Sequence, residues 1–203
     1  NVVKLASERS KSMKIPFTVP RFTEQEVALV NQLLNMPEDI LAEKYSKLCR
    51  KYLSDHFQTE TLVTHSCTAA LEMSALLLNI KPGDEVIIPS FTFVSTATAF
   101  TLFGAKPVFA DIKSDTLNID PSQLESLISP KTKAIVVVHY AGVACDMALI
   151  QEVADKYQLP IVEDAAQCMG AKYLDRPLGT FGSLGALSFH NTKNVTAGLG
   201  GAL

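Results

Sequence analysis

Residues 134–167 read Ala134-Ile-Val-Val-Val-His-Tyr-Ala-Gly142, Val143-Ala-Cys-Asp146, Met147-Ala-Leu-Ile-Gln-Glu-Val-Ala-Asp-Lys-Tyr157, Gln158-Leu-Pro160 and Ile161-Val-Glu-Asp-Ala-Ala-Gln167. The unbroken apolar run Ala134–Val138 predicts a strand buried on both faces. Asp146 can cap a helix through Tyr157 whose apolar residues recur at helical spacing, and Pro160–Glu163 predicts a second strand. A strand, a covering helix and another strand make one crossover unit, in which neighbouring strands run parallel. The same alternation extends both ways along the chain. Further strands are expected at Thr61–Thr64, Glu85–Ile88, Pro107–Ala110 and Ala186–Phe189, and helices at Thr68–Asn79, Val94–Phe103 and Asp120–Ile128. Asp120-Pro121 is a cap followed by proline at the first helical position. Ahead of this region Thr23 and Glu26 form a capping box, with Val27, Val30, Leu33 and Leu34 on one helical face. A second helix is expected from Pro37, striped by Tyr45, Leu48, Cys49, Tyr52 and Leu53. The fold class is α/β, a mostly parallel sheet flanked by helices.

Composition narrows the function. Of 203 residues, 47% are hydrophobic, enough for a sizeable core and too many for a disordered chain. Eighteen Lys and Arg against 21 Asp and Glu leave a net charge of −3, without the basic excess of a nucleic-acid surface. The apolar run at Ala134–Val138 is far short of the roughly 20 residues of a membrane-spanning helix, so no membrane partner is expected. Cys49, Cys67, Cys145 and Cys168 show no metal-ligand spacing and are too sparse for a disulfide scaffold. They are expected to be reduced, buried thiols of a cytoplasmic protein, with no metal. Met13-Lys-Ile-Pro-Phe reads as a native start, which makes residues 1–14 a tag or leader. Residues 15–60 are expected to be a helical segment. The end at Leu203, just after a glycine-rich turn, reads as a cut in mid-domain.

Ligands of parallel sheets bind beyond the carboxyl ends of the strands. Five loops fall there. His65-Ser66-Cys67-Thr68 opens a helix whose free N–H groups could hold a phosphate, although N-capping by Ser66 or Thr68 explains the same residues. In Pro89-Ser-Phe-Thr-Phe93 an aromatic ring could stack on a flat ligand or belong to the core. His139-Tyr140 is a hydrogen-bonded structural pair or a catalytic one. Asp164 is a helix cap or the partner of a protonated heterocyclic nitrogen. Lys193, in Ser188-Phe-His-Asn-Thr-Lys193, is a solvated loop residue or forms a Schiff base with a carbonyl. No GxGxxG or GxxxxGK[ST] occurs, which counts against a nicotinamide oxidoreductase and against a P-loop.

In order and combination these parts suit pyridoxal phosphate. HSCTAALEMSALLL (65–78), KPGDEVIIPSFTFVSTATAF (81–100), VVHYAGVACDM (137–147), VEDAAQ (162–167) and SFHNTKN (188–194) closely resemble the DegT/StrS-type family of sugar-nucleotide aminotransferases. The resemblance runs from about Ile15 to Leu203. It implies a mostly parallel mixed sheet of the aspartate-aminotransferase-like large domain at 61–203, lacking its C-terminal part, and a cytoplasmic homodimer. It matches Lys193 to the lysine that bonds the cofactor and Asp164 to the carboxylate on the pyridine nitrogen. Gln167 matches the residue near the ring hydroxyl, Phe93 the stacking residue, and Cys67, Thr68 and Ser188 the phosphate positions. The implied reaction moves an amino group from glutamate to a dTDP-linked 4-keto-6-deoxy sugar for surface polysaccharide. Members with His at the lysine position are sugar dehydratases, and Lys193 points to amino transfer. The family's glycine-rich stretch is replaced by Asn35-Met-Pro-Glu-Asp39, and members are considerably longer. An inactive fragment is the other expectation for the 1–203 chain.

Overall fold

The computed structural model describes residues 16, 19, 22–35 and 44–203. Seven strands form one sheet in the order β1-β9-β8-β5-β4-β2-β3. These are β1 (Val63–Thr64), β2 (Glu85–Pro89), β3 (Lys106–Ala110), β4 (Thr132–Val138), β5 (Ile161–Asp164), β8 (Leu184–Ser188) and β9 (Gly201–Ala202). The pairs β3/β2, β2/β4, β4/β5 and β5/β8 are parallel, whereas β9 runs antiparallel to both β8 and β1. A small separate hairpin joins β6 (Lys172–Tyr173) to β7 (Arg176–Pro177).

Among the described residues the α-helices are α1 (Glu24–Leu34), α2 (Lys44–Phe57), α3 (Cys67–Leu77), α4 (Val94–Thr101), α5 (Leu124–Leu127) and α6 (Met147–Tyr157). Alternation along the central strands explains why both sheet faces need cover. Val86, Ile88, Ala134 and Val136 face one side and pack with Ala70, Leu71 and Ala75 of α3 and Phe100 of α4. Ile87, Ile135 and Val137 face the other and pack with Leu124 of α5 and Met147, Ile150 and Ala154 of α6. Ile87, Ile135 and Ile150 are completely buried, each worth about 1.5–3 kcal/mol. This two-sided core is what an unbroken apolar strand encodes.

Four expectations differ. Thr61–Thr64 is a strand only at Val63–Thr64, against β9, with Leu62 adding a reciprocal pair of backbone hydrogen bonds to Leu203. Asp120–Ile128 divides into a 3₁₀ turn at Pro121–Gln123 and the single turn α5, because Asp120 caps by accepting from Ser122 N–H, two residues on. The Thr23–Glu26 capping box forms, yet α1 buries none of its residues. Val30 and Leu34 are 55% and 70% exposed, since the α3/α4 and α5/α6 layers already cover the sheet. On α2 only Leu53 and Phe57 are buried, against Ala165, Leu178 and Leu187, while Leu48, Cys49 and Tyr52 stay exposed. Pro37, residues 1–14 and most of the Asn35–Asp39 segment lie outside the described residues.

Cys49, exposed, and Cys67, half-buried, thus correct the expectation of four buried thiols. All four are free. Burial pushes the Cys145 and Cys168 thiols up to about 12, as suits unreactive core residues.

Candidate active site

Parallel β2, β4, β5 and β8 present their carboxyl ends along one edge, and the five candidate loops meet there. They enclose a cavity of about 420 Å³ whose lining includes Cys67, Thr68, Phe93, Asp164, Gln167, Ser188 and Lys193. Residues separated by more than 120 positions are gathered solely by strand order.

One wall is the start of α3. Ser66 is its N-cap, with Oγ accepting from Ala69 N–H at 3.1 Å. The capping explanation of this loop is therefore correct for Ser66. Helix geometry still directs the N–H groups of Cys67 and Thr68 off the end, where the macrodipole favours an anion. Gly201 of β9 permits this approach. A Cβ there would lie 2.3 Å from the Ser66 carbonyl carbon and 2.5 Å from Cys67 N.

Asp164 ends β5 and is 5% exposed. Its Oδ2 accepts from Thr96 Oγ1 at 2.7 Å and its Oδ1 from Ala166 N–H at 3.2 Å, with Cys67 Sγ 3.9 Å from Oδ1. The Ala166 bond is the local cap-like contact, and the side chain lines the cavity as well. Burial pushes this carboxyl above its usual range, opposed by the Thr96 and Ala166 donors and by the charge of Lys193. A buried carboxylate in that balance favours a cationic partner. Burial also pushes the Cys67 thiol up, reinforced by Asp164. Cys67 is thus a neutral wall residue rather than a nucleophile.

Phe93, preceding α4, is 74% exposed, so neither it nor the half-exposed Phe91 belongs to the core. Phe91 instead packs on Tyr140, with ring centroids 4.8 Å apart. Gln167 Oε1 accepts from the N–H of Ala141, which stands in the left-handed region at φ 53°. Strain of this kind persists where surrounding contacts fix the backbone. Ser188 is buried at the end of β8, its Oγ accepting weakly from His190 N–H at 3.4 Å. Lys193 is half-buried, its backbone N–H closing a turn on His190 O at 2.9 Å.

His139 takes the structural alternative. Its Nδ1 accepts from Cys145 N–H at 3.1 Å, which leaves Nε2 to donate to Glu163 at 2.8 Å. Glu163 also accepts from Gly179 and Gly182 N–H, which satisfies its completely buried carboxylate. Thr96 is the residue that sequence reasoning missed. It lay inside a quoted motif, but nothing local distinguishes a threonine directed at a strand 68 positions away. Among the described residues no group of three His, Cys, Asp or Glu could hold a metal, and no helix is long and apolar enough to cross a membrane.

The model of the DegT/DnrJ/EryC1/StrS aminotransferase family matches residues 20–203. The chain belongs to this family. Among curated DegT/DnrJ/EryC1/StrS relatives, it is 38% identical to the UDP-4-amino-4-deoxy-L-arabinose–oxoglutarate aminotransferase of Shewanella sediminis, over 92% of this chain and 48% of that protein. It is 39% identical to the spore coat polysaccharide biosynthesis protein SpsC of Bacillus subtilis, over 93% of this chain and 49% of that protein. A Streptococcus pneumoniae structure described as a sugar aminotransferase in its PLP form superposes with a TM-score of 0.82 at 32% identity, over 93% of this chain and 52% of the other. The chain spans about half the length of the relatives it matches.

Pyridoxal phosphate is the cofactor of the family, and the residues present fit it. The start of α3 and Ser188 offer donors to a phosphate, and the glycine at 201 keeps that cradle open. Asp164 offers a buried anion to a protonated ring nitrogen, Phe93 an exposed face, and Lys193 an amine.

Proposed function

We propose that the protein transfers an amino group from glutamate to a dTDP-linked 4-keto-6-deoxy sugar, as a pyridoxal-phosphate-dependent step towards surface polysaccharide. The observation that carries this reading is one cavity holding the Lys193 amine, the buried Asp164 carboxylate and the open start of α3. The Shewanella relative's name supports the donor and substrate class, since it couples a 4-amino nucleotide sugar to oxoglutarate, the keto acid of glutamate. The spore coat relative supports a polysaccharide destination. Lys193, where the dehydratases carry His, supports amino transfer over loss of water.

In this reading Cys67 and Thr68 N–H and the Ser188 hydroxyl bind the phosphate, and Phe93 covers one ring face. Gln167 stands near the ring hydroxyl, with its Oε1 held by Ala141 N–H. When bound, the cofactor supplies an aldehyde that condenses with amines and a ring that accepts electrons. Asp164 holds the proton on the ring nitrogen and so strengthens that electron sink. Lys193 Nζ would take the proton from the donor's α-carbon and deliver it to the carbon of the cofactor's aldehyde, as base and then acid. The exposed apolar face of α1 supports a homodimer, and the nucleotide-sugar substrate supports a cytoplasmic site of action. The test is an assay of the holoenzyme with L-glutamate and a dTDP-4-keto-6-deoxyhexose. Formation of oxoglutarate and an aminated sugar is expected. Sugar turnover with loss of water and no amine would overturn the reading.

A further inference from the structure

Thr96 is completely buried, and its single hydroxyl proton has one anionic acceptor in reach, Asp164 Oδ2 at 2.7 Å. A second hydroxyl, Thr92 Oγ1, lies 2.8 Å from Thr96 Oγ1. With the Thr96 proton committed to the carboxylate, Thr92 is the donor in that pair, and the two form a one-way chain ending on Asp164. Thr92 lines the cavity and immediately precedes Phe93, the exposed ring at the start of α4. Thr96 lies in the first turn of α4, and Thr92 sits in the bend just ahead of the Phe93 N-cap, where its hydroxyl meets that of Thr96.

We infer that Thr96, oriented by Thr92, is a positioning residue that holds Asp164 ionised and aimed at the cofactor's ring nitrogen. The inference rests on the reading of Asp164 as that nitrogen's partner. Its chemistry is directional. A hydroxyl donating to an anion strengthens as the anion's environment becomes drier, and no water is needed to reach Oδ2. Cys67 Sγ, at 3.9 Å, is too distant and too weak a donor to replace it. His139 offers Asp164 no donor, because its Nε2 is engaged by Glu163 and its Nδ1 by Cys145 N–H. Thr96 is therefore the strong side-chain donor to this carboxylate among the described residues.

The test is nitrogen-15 NMR of the holoenzyme loaded with pyridoxal phosphate labelled in the ring, whose resonance reports protonation directly and independently of turnover. Thr96→Val removes the donor and keeps the shape. The pH at which the carboxyl takes up a proton, seen as a second step of the same resonance below the ring's own, is expected to rise by about one unit, the tenfold weight of a hydrogen bond to a charged group. Thr96→Ser restores the hydroxyl and should restore the midpoint. An unchanged midpoint in Thr96→Val overturns the inference. Asp164→Asn, read in the same way, separates the two ideas. Loss of the step there without a shift in Thr96→Val removes only the role of Thr96, whereas no change in either removes the pairing itself. If Thr96→Val does not fold, Thr92→Val carries the test. Loss of its hydroxyl should raise the midpoint in the same direction, and an unchanged midpoint overturns the inference.

Discussion

Asp164 is legible in the sequence only as a carboxylate at a strand end, and its neighbours decide what it can do. Burial destabilises its charge, and Thr96, Ala166 and Lys193 restore part of the loss. Two expectations follow from that balance. In the cofactor-free protein a raised carboxyl favours folding below the ordinary carboxyl range, and this stability is lost as pH rises through the raised value. Thermal melts of cofactor-free wild type and Asp164→Asn should therefore diverge from about pH 4 upward, with the Asn variant gaining. Parallel melting curves would show that Asp164 ionises without cost. In the holoenzyme the order reverses, because Asn cannot hold the ring proton. Bound cofactor should persist in Asp164→Asn while kcat falls on the order of 10²-fold or more. Near-normal turnover would reduce Asp164 to a cap. Lys193 is legible as a lysine just past a strand and ahead of glycines, and it lines the cavity. Borohydride reduction followed by peptide mass spectrometry should put the pyridoxyl group on the Lys193 peptide. Labelling of Lys172 or Lys81 would sink that assignment.

At the scale of elements, the central strands could be read because both faces are apolar, as at Ala134–Val138 and Ile161–Val162. β9 could not. Gly201-Ala202 has neither length nor alternation, and it is a strand only because β1 and β8 flank it. That antiparallel insertion is also what sets Gly201 against the Ser66–Cys67 peptide. Gly201→Ala would drive a methyl group into backbone atoms, which cannot rotate aside. Overpacking of this kind costs about 1–3 kcal/mol, and the displaced group here is the phosphate cradle. The variant should melt lower and bind pyridoxal phosphate at least tenfold more weakly by equilibrium titration. Wild-type affinity in Gly201→Ala would mean that the start of α3 does not hold the phosphate. For α1 the capping box was legible and the destination of its apolar face was not, because periodicity shows that a stripe exists and not what covers it.

Across the whole molecule, strand order is what turns five weak signals into one site. Cys67 to Lys193 spans most of the chain, and only a sheet that brings β2, β4, β5 and β8 side by side lets those loops meet. Sequence periodicity supplies the strands, whereas their order comes from packing helices on both faces, which no local window contains. The exposed face of α1, with Val30 and Leu34, sets an expectation for assembly. Val30→Asp with Leu34→Asp should lower the mass measured by light scattering from dimer to monomer, and an unchanged mass would place the subunit contact elsewhere. The central claim, amino transfer through cofactor held by Lys193 and Asp164, is tested most directly by the two half-reactions of the holoenzyme followed by absorbance. L-Glutamate alone should discharge the yellow colour with stoichiometric release of oxoglutarate, and a dTDP-4-keto-6-deoxyhexose should then restore the colour as the aminated sugar forms. A colour that glutamate leaves untouched, while the sugar is consumed, would contradict the account.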